Sequence, residues 1–220
     1  MTLNQPAEGT ATAERRATLK AALVAAAERA IMREGLAGLR ARALAQEVGC
    51  AVGAIYNVVK DLDDLVLLVN AKTLAALKSA IGAGDAPAEA KFIGLDAAIA
   101  RLVQMALAYL DFAATHMPLW RALFDHSMPQ GQPVPDWYRQ EQQRLFDEVE
   151  SLLVELQARE TRVRRALLAR SLFSAVHGLV TIGLESKLQP IPLPVLREQI
   201  RFVVTAIGRG NGERPVVPQR

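Results

Sequence analysis

Three polar side chains in the first third of the chain, Arg42, Tyr56 and Asn57, are of types suited to a nucleic-acid surface. A guanidinium such as that of Arg42 pairs with guanine O6 and N7 or with a phosphate, and the Asn57 amide matches the edge of adenine. The Tyr56 hydroxyl reaches a phosphate oxygen. This chemistry works only if a backbone carries the groups into a groove on one face.

The sequence around them supplies such a frame. Leu19, Leu23, Ala26, Ala27, Ala30 and Ile31 recur at steps of three and four, which predicts an amphipathic helix, and Gly35 stands where a left-handed C-terminal cap is expected. A short helix is expected over about 42–48, a break at Gly49-Cys50-Ala51, and a second short helix over 52–59. Two short helices joined by a three-residue glycine turn form a helix-turn-helix. Leu44, Val48, Val52 and Ile55 are expected as its buried brace, with Ala45 and Gly49 giving a small crossing point. Arg42, Gln46, Ala51, Gly53, Ala54 and Asn57 are then left facing outward. A helical hairpin with no nucleic-acid partner uses Ala and Gly in the same way, so spacing alone leaves plain packing open as the alternative.

Beyond Asp61 helical patterns continue near 62–81, 89–115, 118–127, 135–158, 161–188 and 193–208. Breaks fall at Gly82-Ala83-Gly84, Pro118, Pro129 to Pro135 and Gln189 to Pro194. No segment alternates in the manner of a strand, and the fold class expected is all-α. In the middle of the chain Met105, Tyr109 and Phe112 form one stripe. With Trp120, Phe124, Trp137, Phe146, Phe173 and His177 they gather most of the aromatic side chains. Such a set is either plain core or the lining of an apolar cavity with a few polar groups.

Charge and composition exclude other classes. With 51% apolar residues and a net charge of +3 the chain can build a core, and Cys50 alone makes no disulfide framework. Residues 1–60 hold 8 basic and 5 acidic side chains (+3), 61–160 hold 8 and 15 (−7), and 161–220 hold 10 and 3 (+7). The most apolar run, Ser171 to Leu184, is shorter than the roughly 20 residues of a bilayer span, so no membrane segment is expected. Residues Met1 to Ala13 carry no secretory pattern, and the expected address is cytoplasmic. Phosphate-cradling GxxxxGK[ST] and GxGxxG, and metal-binding CxxC and HExxH, do not occur. A di-iron Glu-x-x-His spacing fails because Ala113, Leu123 and Ser174 precede His116, His126 and His177 by three residues. No enzymatic activity, cofactor or metal is expected. Cys50 reads as a small filler, with redox sensing as its alternative.

The run from Leu23 to Leu65, with AAERAIMREGLAGL, then RALAQEVGCAVGAIY, then KDLDDL, resembles the DNA-binding domain of the TetR family of transcriptional regulators. Its specific part is Gly49 followed by Val52-Gly53-Ala54-Ile55-Tyr56-Asn57; the later helices are similar to the family only in number, length and order. The resemblance implies a tail at 1–13, a helix-turn-helix domain at 14–61, a helical ligand-binding and dimerisation domain at 62–208, and a tail at 209–220. Arg40 stands where the family usually has Thr and is expected to supply a charged N-cap and phosphate contact. Leu62 replaces a usual phosphate-contacting Lys, leaving Lys60 as the expected substitute. Arg15, Arg16 and Lys20 are either further phosphate contacts or a solvated basic face.

The resemblance implies DNA contacts from Arg40, Arg42, Ala51, Gly53, Ala54, Tyr56, Asn57 and Lys60. It also implies a homodimer through the last two helices, with Leu168, Leu172, Ala175, Leu179, Ile200 and Val204 at the interface. An apolar small-molecule effector is expected at Met105, Tyr109, Phe112, Trp137 and His177. The function expected is a ligand-responsive regulator, a repressor that leaves a near-palindromic double-stranded operator when the effector binds. The rival is an all-helical enzyme or small-molecule carrier that keeps a vestigial helix-turn-helix.

Overall fold

A computed structural model describes residues 7–82, 95–185 and 189–209. Among the described residues the chain forms nine α-helices and no strand. Its helices fall into two units by packing: Met1–Ala76 with His116–Arg139, and Leu77–Thr115 with Gln140–Arg220.

In the first unit, α1 (Ala7–Glu34) buries Leu23, Ala26, Ala27, Ala30 and Ile31, the residues spaced at three and four in the sequence. It starts earlier than the sequence reading placed it. Residues 7–13, expected as tail, are helical and extend an established helix, where adding a turn needs no new nucleus. Residues 1–6 lie outside the described part. Gly35, at φ 66°, ends α1 in the left-handed region and leads into a 3₁₀ turn, Gly35–Gly38.

Then come α2 (Ala41–Val48) and α3 (Val52–Ile55). Gly49 joins them at φ 76°, ψ 36°. Its N–H donates to Gln46 O at 3.3 Å and the Cys50 N–H to Ala45 O at 2.9 Å, the paired bonds of a Schellman motif. A side chain at Gly49 would hold the backbone in a region L-residues rarely adopt, so glycine here is a conformational requirement.

The second short helix is one turn, where 52–59 was expected. Asn57, Val58 and Val59 are poor helix formers, and the chain continues through turns in which the Val58 and Val59 amides both donate to Ile55 O at 3.0 Å. The brace shifts accordingly. Leu44, Ala45 and Ile55 are buried as expected and Val48 is half-buried, but Val52 is 39% exposed, and Val58 and Val59 fill the core instead. One helical turn cannot align Val52 with the residues that follow Ile55.

α4 (Leu62–Gly82) contributes Leu65 and Val69 to this core, and α6 (Met117–Asp125) contributes Leu119 and Ala122. Leu62 and Cys50 pack partly buried against it. By packing, α6 and the first residues of α7 (Asp136–Leu156) therefore belong with the helix-turn-helix, a different partition from the functional division expected at 61/62.

In the second unit, α5 (Leu95–Thr115) packs along α9 (Leu193–Arg209), and α9 packs against α8 (Arg162–Gly183). Leu196, Ile200 and Val204 are fully buried there. Gly183 allows the close approach, since a Cβ at that position would stand 2.7 Å from Leu196 Cδ2. An Arg197–Asp111 ion pair links α9 to α5. Thr161 caps α8 by accepting from the Arg164 N–H at 3.3 Å. The expected helix starting at 89 falls partly outside the described residues, as do 186–188 and the tail from 210.

Length and composition alone would let three helices cross a bilayer: Leu62–Gly82, Ala97–Thr115 and Arg162–Gly183. The shortness of the Ser171 to Leu184 run therefore does not by itself exclude such spans. Burial explains the first two better, since 50% and 61% of those windows lie inside the protein, whereas only 28% of the third does.

The turn geometry separates two glycines four positions apart, one in the turn and one in α3. Gly49→Ala should cost about 1–2 kcal/mol, because it forces a Cβ into the left-handed region. Gly53→Ala meets no atom within 4 Å at an ordinary φ and should stabilise by about 0.4–1 kcal/mol. Urea unfolding checks the pair; midpoints that move in the same direction would contradict this account of the turn.

Candidate nucleic-acid interface and effector site

The first unit brings most of the proposed DNA-contacting residues to its surface. Arg42 and Gln46 on α2, Ala51 and Gly53 at the start of α3, and Tyr56, Asn57 and Lys60 after it are exposed, while Ala54 is half-buried. Small residues at 51, 53 and 54 leave a shallow face between the longer polar side chains. Arg40 is the N-cap residue of α2, with its carbonyl accepting from the Leu44 N–H at 3.0 Å. The charged side-chain cap expected there is not made: at φ −127°, ψ 120° the exposed Arg40 side chain forms no capping bond. A guanidinium has only donors, so it cannot accept from the orphan N–H groups of a helix start.

Lys60 is held by its backbone and presented by its side chain. Its N–H donates to Asp64 Oδ2 at 3.2 Å, and the Asp64 N–H donates to Asp61 Oδ1 at 2.7 Å, which caps α4. The Lys60 ammonium stands 4.0 Å from Asp61 Oδ2 on a largely exposed side chain, a weak pair that a phosphate can replace.

Acidic groups of the first unit are neutralised from α1 and α4. Arg29 Nε donates to Glu47 Oε1 at 2.8 Å, and Arg33 lies 3.7 Å from Glu47 Oε2. The hydrogen bond from Arg29 holds the Glu47 carboxyl below its ordinary pKa, so it stays paired and ionised. Lys72 pairs likewise with Glu28.

The aromatic residues grouped in the sequence divide between the two units. In the second unit Tyr109, on α5, and His177, on α8, meet with Oη 2.8 Å from Nδ1, and Thr181 Oγ1 lies 3.3 Å from Nε2. Phe173 stacks on His177 with centroids 5.5 Å apart and planes at 21°, and Phe146 packs edge-on against Phe173 at 5.3 Å. Met105 and Phe112 are buried on the same helix as Tyr109. Trp137 belongs to the first unit, is 39% exposed, and makes an edge contact with Tyr138 at 5.6 Å. The sequence reading named Phe146 and Phe173 only as aromatics and missed Thr181, which lies four residues from His177 on the same helical face.

A buried polar group in the first unit was also missed. Asn70 donates to Ala122 O at 3.0 Å, tying α4 to α6. Tyr138, buried beside Asn70, has its phenol pKa pushed up by that burial, opposed by the Asn70 hydrogen bond. Among the described residues no group of three or more His, Cys, Asp or Glu side chains could hold a metal.

Of the interface residues expected on the last two helices, Ile200 and Val204 are fully buried within the chain and Leu172 is nearly so. The first two pack in the core with α5 and α8, so they cannot also face a second copy. Leu168, Ala175 and Leu179 are half-buried. The large apolar side chains left open on α8 and α9 are Val163, Leu167, Ile182, Leu193, Val195 and Phe202, with Val163 71% and Phe202 70% exposed.

Residues 102–207 match the tetracyclin repressor-like C-terminal domain. Among solved structures the chain is similar to a protein of unknown function from Rhodococcus sp. RHA1 (TM-score 0.68, 22% identity, 85% of this chain and 93% of that one). It is also similar to a TetR-family transcription regulator from Shewanella sp. PV-4 (0.60, 18%, 86% and 95%). A third similar structure is the multidrug binding protein EbrR in complex with imidazole (0.58, 19%, 84% and 93%). At these identities the structures establish the shared fold. No curated protein matches the sequence. The C-terminal part of the chain, residues 102–207, thus matches a tetracyclin repressor-like domain, and the all-helical fold is similar to that of TetR-family regulators.

Partial burial holds the His177 pKa below its ordinary value of 6.5. As pH falls below that value the unfolded chain binds a proton that folded His177 resists, so stability present above pH 6.5 is lost as pH falls through the lower folded pKa. Thermal unfolding at about pH 7.5 and about pH 5.5 should show a smaller acid loss in His177→Gln than in the parent. Equal losses would mean that His177 carries no such penalty.

Proposed function

We propose that this protein is a ligand-responsive repressor that binds a near-palindromic double-stranded operator as a homodimer in the cytoplasm and leaves it when a small apolar molecule occupies the second unit. The observation that carries the reading is the outward face of the α2-Gly49-α3 segment. Arg42, Tyr56, Asn57 and Lys60 surround small Ala51 and Gly53 there, and a Cβ at Gly53 would meet nothing in the protein. Arg42 and Asn57 are assigned to base edges, Tyr56, Lys60 and Arg40 to phosphates, and Ala51, Gly53 and Ala54 to close approach.

Dimerisation is assigned to the exposed apolar residues of α8 and α9, centred on Val163, Leu167, Ile182 and Phe202, with Leu168, Ala175 and Leu179 beside them. The effector is assigned to the Met105, Tyr109, Phe112, Phe173 and His177 group, where one or two polar atoms stand among apolar rings. The imidazole complex of EbrR supports a small-molecule role for this fold. Control then follows from geometry. Two recognition helices enter successive major grooves only when about 34–36 Å apart, so an effector that favours another spacing releases DNA without touching it. α4 contributes residues to both units and is the segment assigned to that coupling.

Electrophoretic mobility of DNA from upstream of the protein's own coding region tests this reading. The wild type should retard a specific fragment. Arg42→Ala should cost about 1–3 kcal/mol and relax base preference, while Lys60→Ala should weaken binding to all sequences and flatten the salt slope by about one unit. Wild-type protein that retards specific and unrelated fragments equally would contradict operator recognition, and an unchanged salt slope in Lys60→Ala would remove Lys60 from the phosphate contacts.

A further inference from the structure

The DNA-facing segment is poorly held by its own backbone. α3 has four residues, and the amides that follow it bond back only as far as Ala54 O and Ile55 O. A single turn is far shorter than the length at which a helix holds itself in water. Ile55, Val58 and Val59 anchor its inner side in the core, but Tyr56 and Asn57, which are assigned to read DNA, stand on the outer side between those anchors.

From α1, 41 residues earlier in the chain, Arg16 Nη2 donates to the Asn57 carbonyl oxygen at 2.6 Å. A charged donor on a carbonyl at the C-terminal end of a helical turn satisfies an orphan acceptor and opposes the negative end of the turn's dipole. Bonds of this type are among the stronger ones a surface can make. Residues 12–18 of α1 are all exposed, so Arg16 reaches Asn57 from a stretch of helix with no buried side chain of its own.

We propose that Arg16 is a positioning residue for DNA reading: its guanidinium clamps the Asn57 carbonyl and so fixes the turn that presents the Tyr56 and Asn57 side chains. The proposal rests on the DNA-binding reading above and deepens it. It assigns to Arg16 a role through the protein backbone rather than through a phosphate. The two roles leave different signatures. Losing a phosphate contact weakens every sequence and lowers the salt slope by about 0.9. Losing the clamp disorders Asn57, the side chain of this turn assigned to a base edge, so it weakens the preferred sequence most, and because neither Asn57 nor the Tyr56 hydroxyl carries a charge it leaves the salt slope in place.

The experiment compares wild type and Arg16→Ala, a change at an exposed position, on a duplex selected by the wild-type protein from a random-sequence pool and on a shuffled duplex of the same length. A bond between a charged donor and a neutral acceptor sets the expected scale at about tenfold. Arg16→Ala should lose about that factor on the selected duplex and change little on the shuffled one, with equal salt slopes. In the free protein, amide exchange at Asn57, Val58 and Val59 should quicken while Tm holds. Equal losses on both duplexes with a reduced slope would overturn the proposal in favour of a phosphate contact. Unchanged binding, or unchanged amide exchange, would also overturn it. If the wild type selects no duplex, the DNA-binding reading itself fails, and amide exchange still decides whether the clamp exists.

Discussion

The first unit depends on a backbone reversal that only a left-handed residue can make. At Gly49 the chain turns from α2 into α3 within three residues while the Gly49 and Cys50 amides satisfy the last carbonyls of α2. That turn sets the directions in which Arg42 and Gln46 leave α2 and Gly53 and Asn57 leave the segment after it. Leu44, Ala45 and Ile55 fill the inside of the corner and bury it against α1, α4 and α6. If the turn opened, the outward residues would no longer share a face, and the ion pairs that neutralise Glu47 and Glu28 would not by themselves restore it.

The second unit rests on a different constraint, close approach between helices. Gly183 lets Leu196 pack against α8, and Leu196, Ile200 and Val204 bury one stripe of α9 completely. The opposite stripe carries Phe202, and α8 leaves Val163, Leu167 and Ile182 open. Where α5 meets α8, Tyr109 and His177 form a part-buried hydrogen bond beside Phe173 and Phe146, and the exposed Thr181 extends it to the surface. Burial keeps the imidazole neutral near pH 7, so the group presents donors and acceptors without a fixed charge. That suits an uncharged, mainly apolar guest.

Periodicity made the helices legible, because steps of three and four residues place Leu23, Ala26, Ala27, Ala30 and Ile31 on one face whatever they pack against. Gly35 and Gly49 were legible for a related reason, since few residues tolerate positive φ. What a stripe packs against was not. Ile200 and Val204 form an apolar stripe that fits a second copy or α5 and α8 equally well in one dimension, and the folded chain uses it internally. Trp137 shows the same limit, because sequence cannot say that the start of α7 packs with the first unit. The length of α3 was misjudged because a tyrosine, an asparagine and two valines weakly oppose a helix without forbidding one. The sequence offers Arg16 only as a phosphate contact or a solvated charge, since a bond to a backbone carbonyl 41 residues away leaves no pattern in it.

The central claim is that two copies of the α2-Gly49-α3 face read one duplex. Hydroxyl-radical footprinting on a fragment that the protein retards tests it directly. Two protected half-sites related by a two-fold axis, their centres about one helical turn or a whole multiple of it apart, is the result this account predicts. A single protected patch, or uniform protection without a dyad, would contradict it.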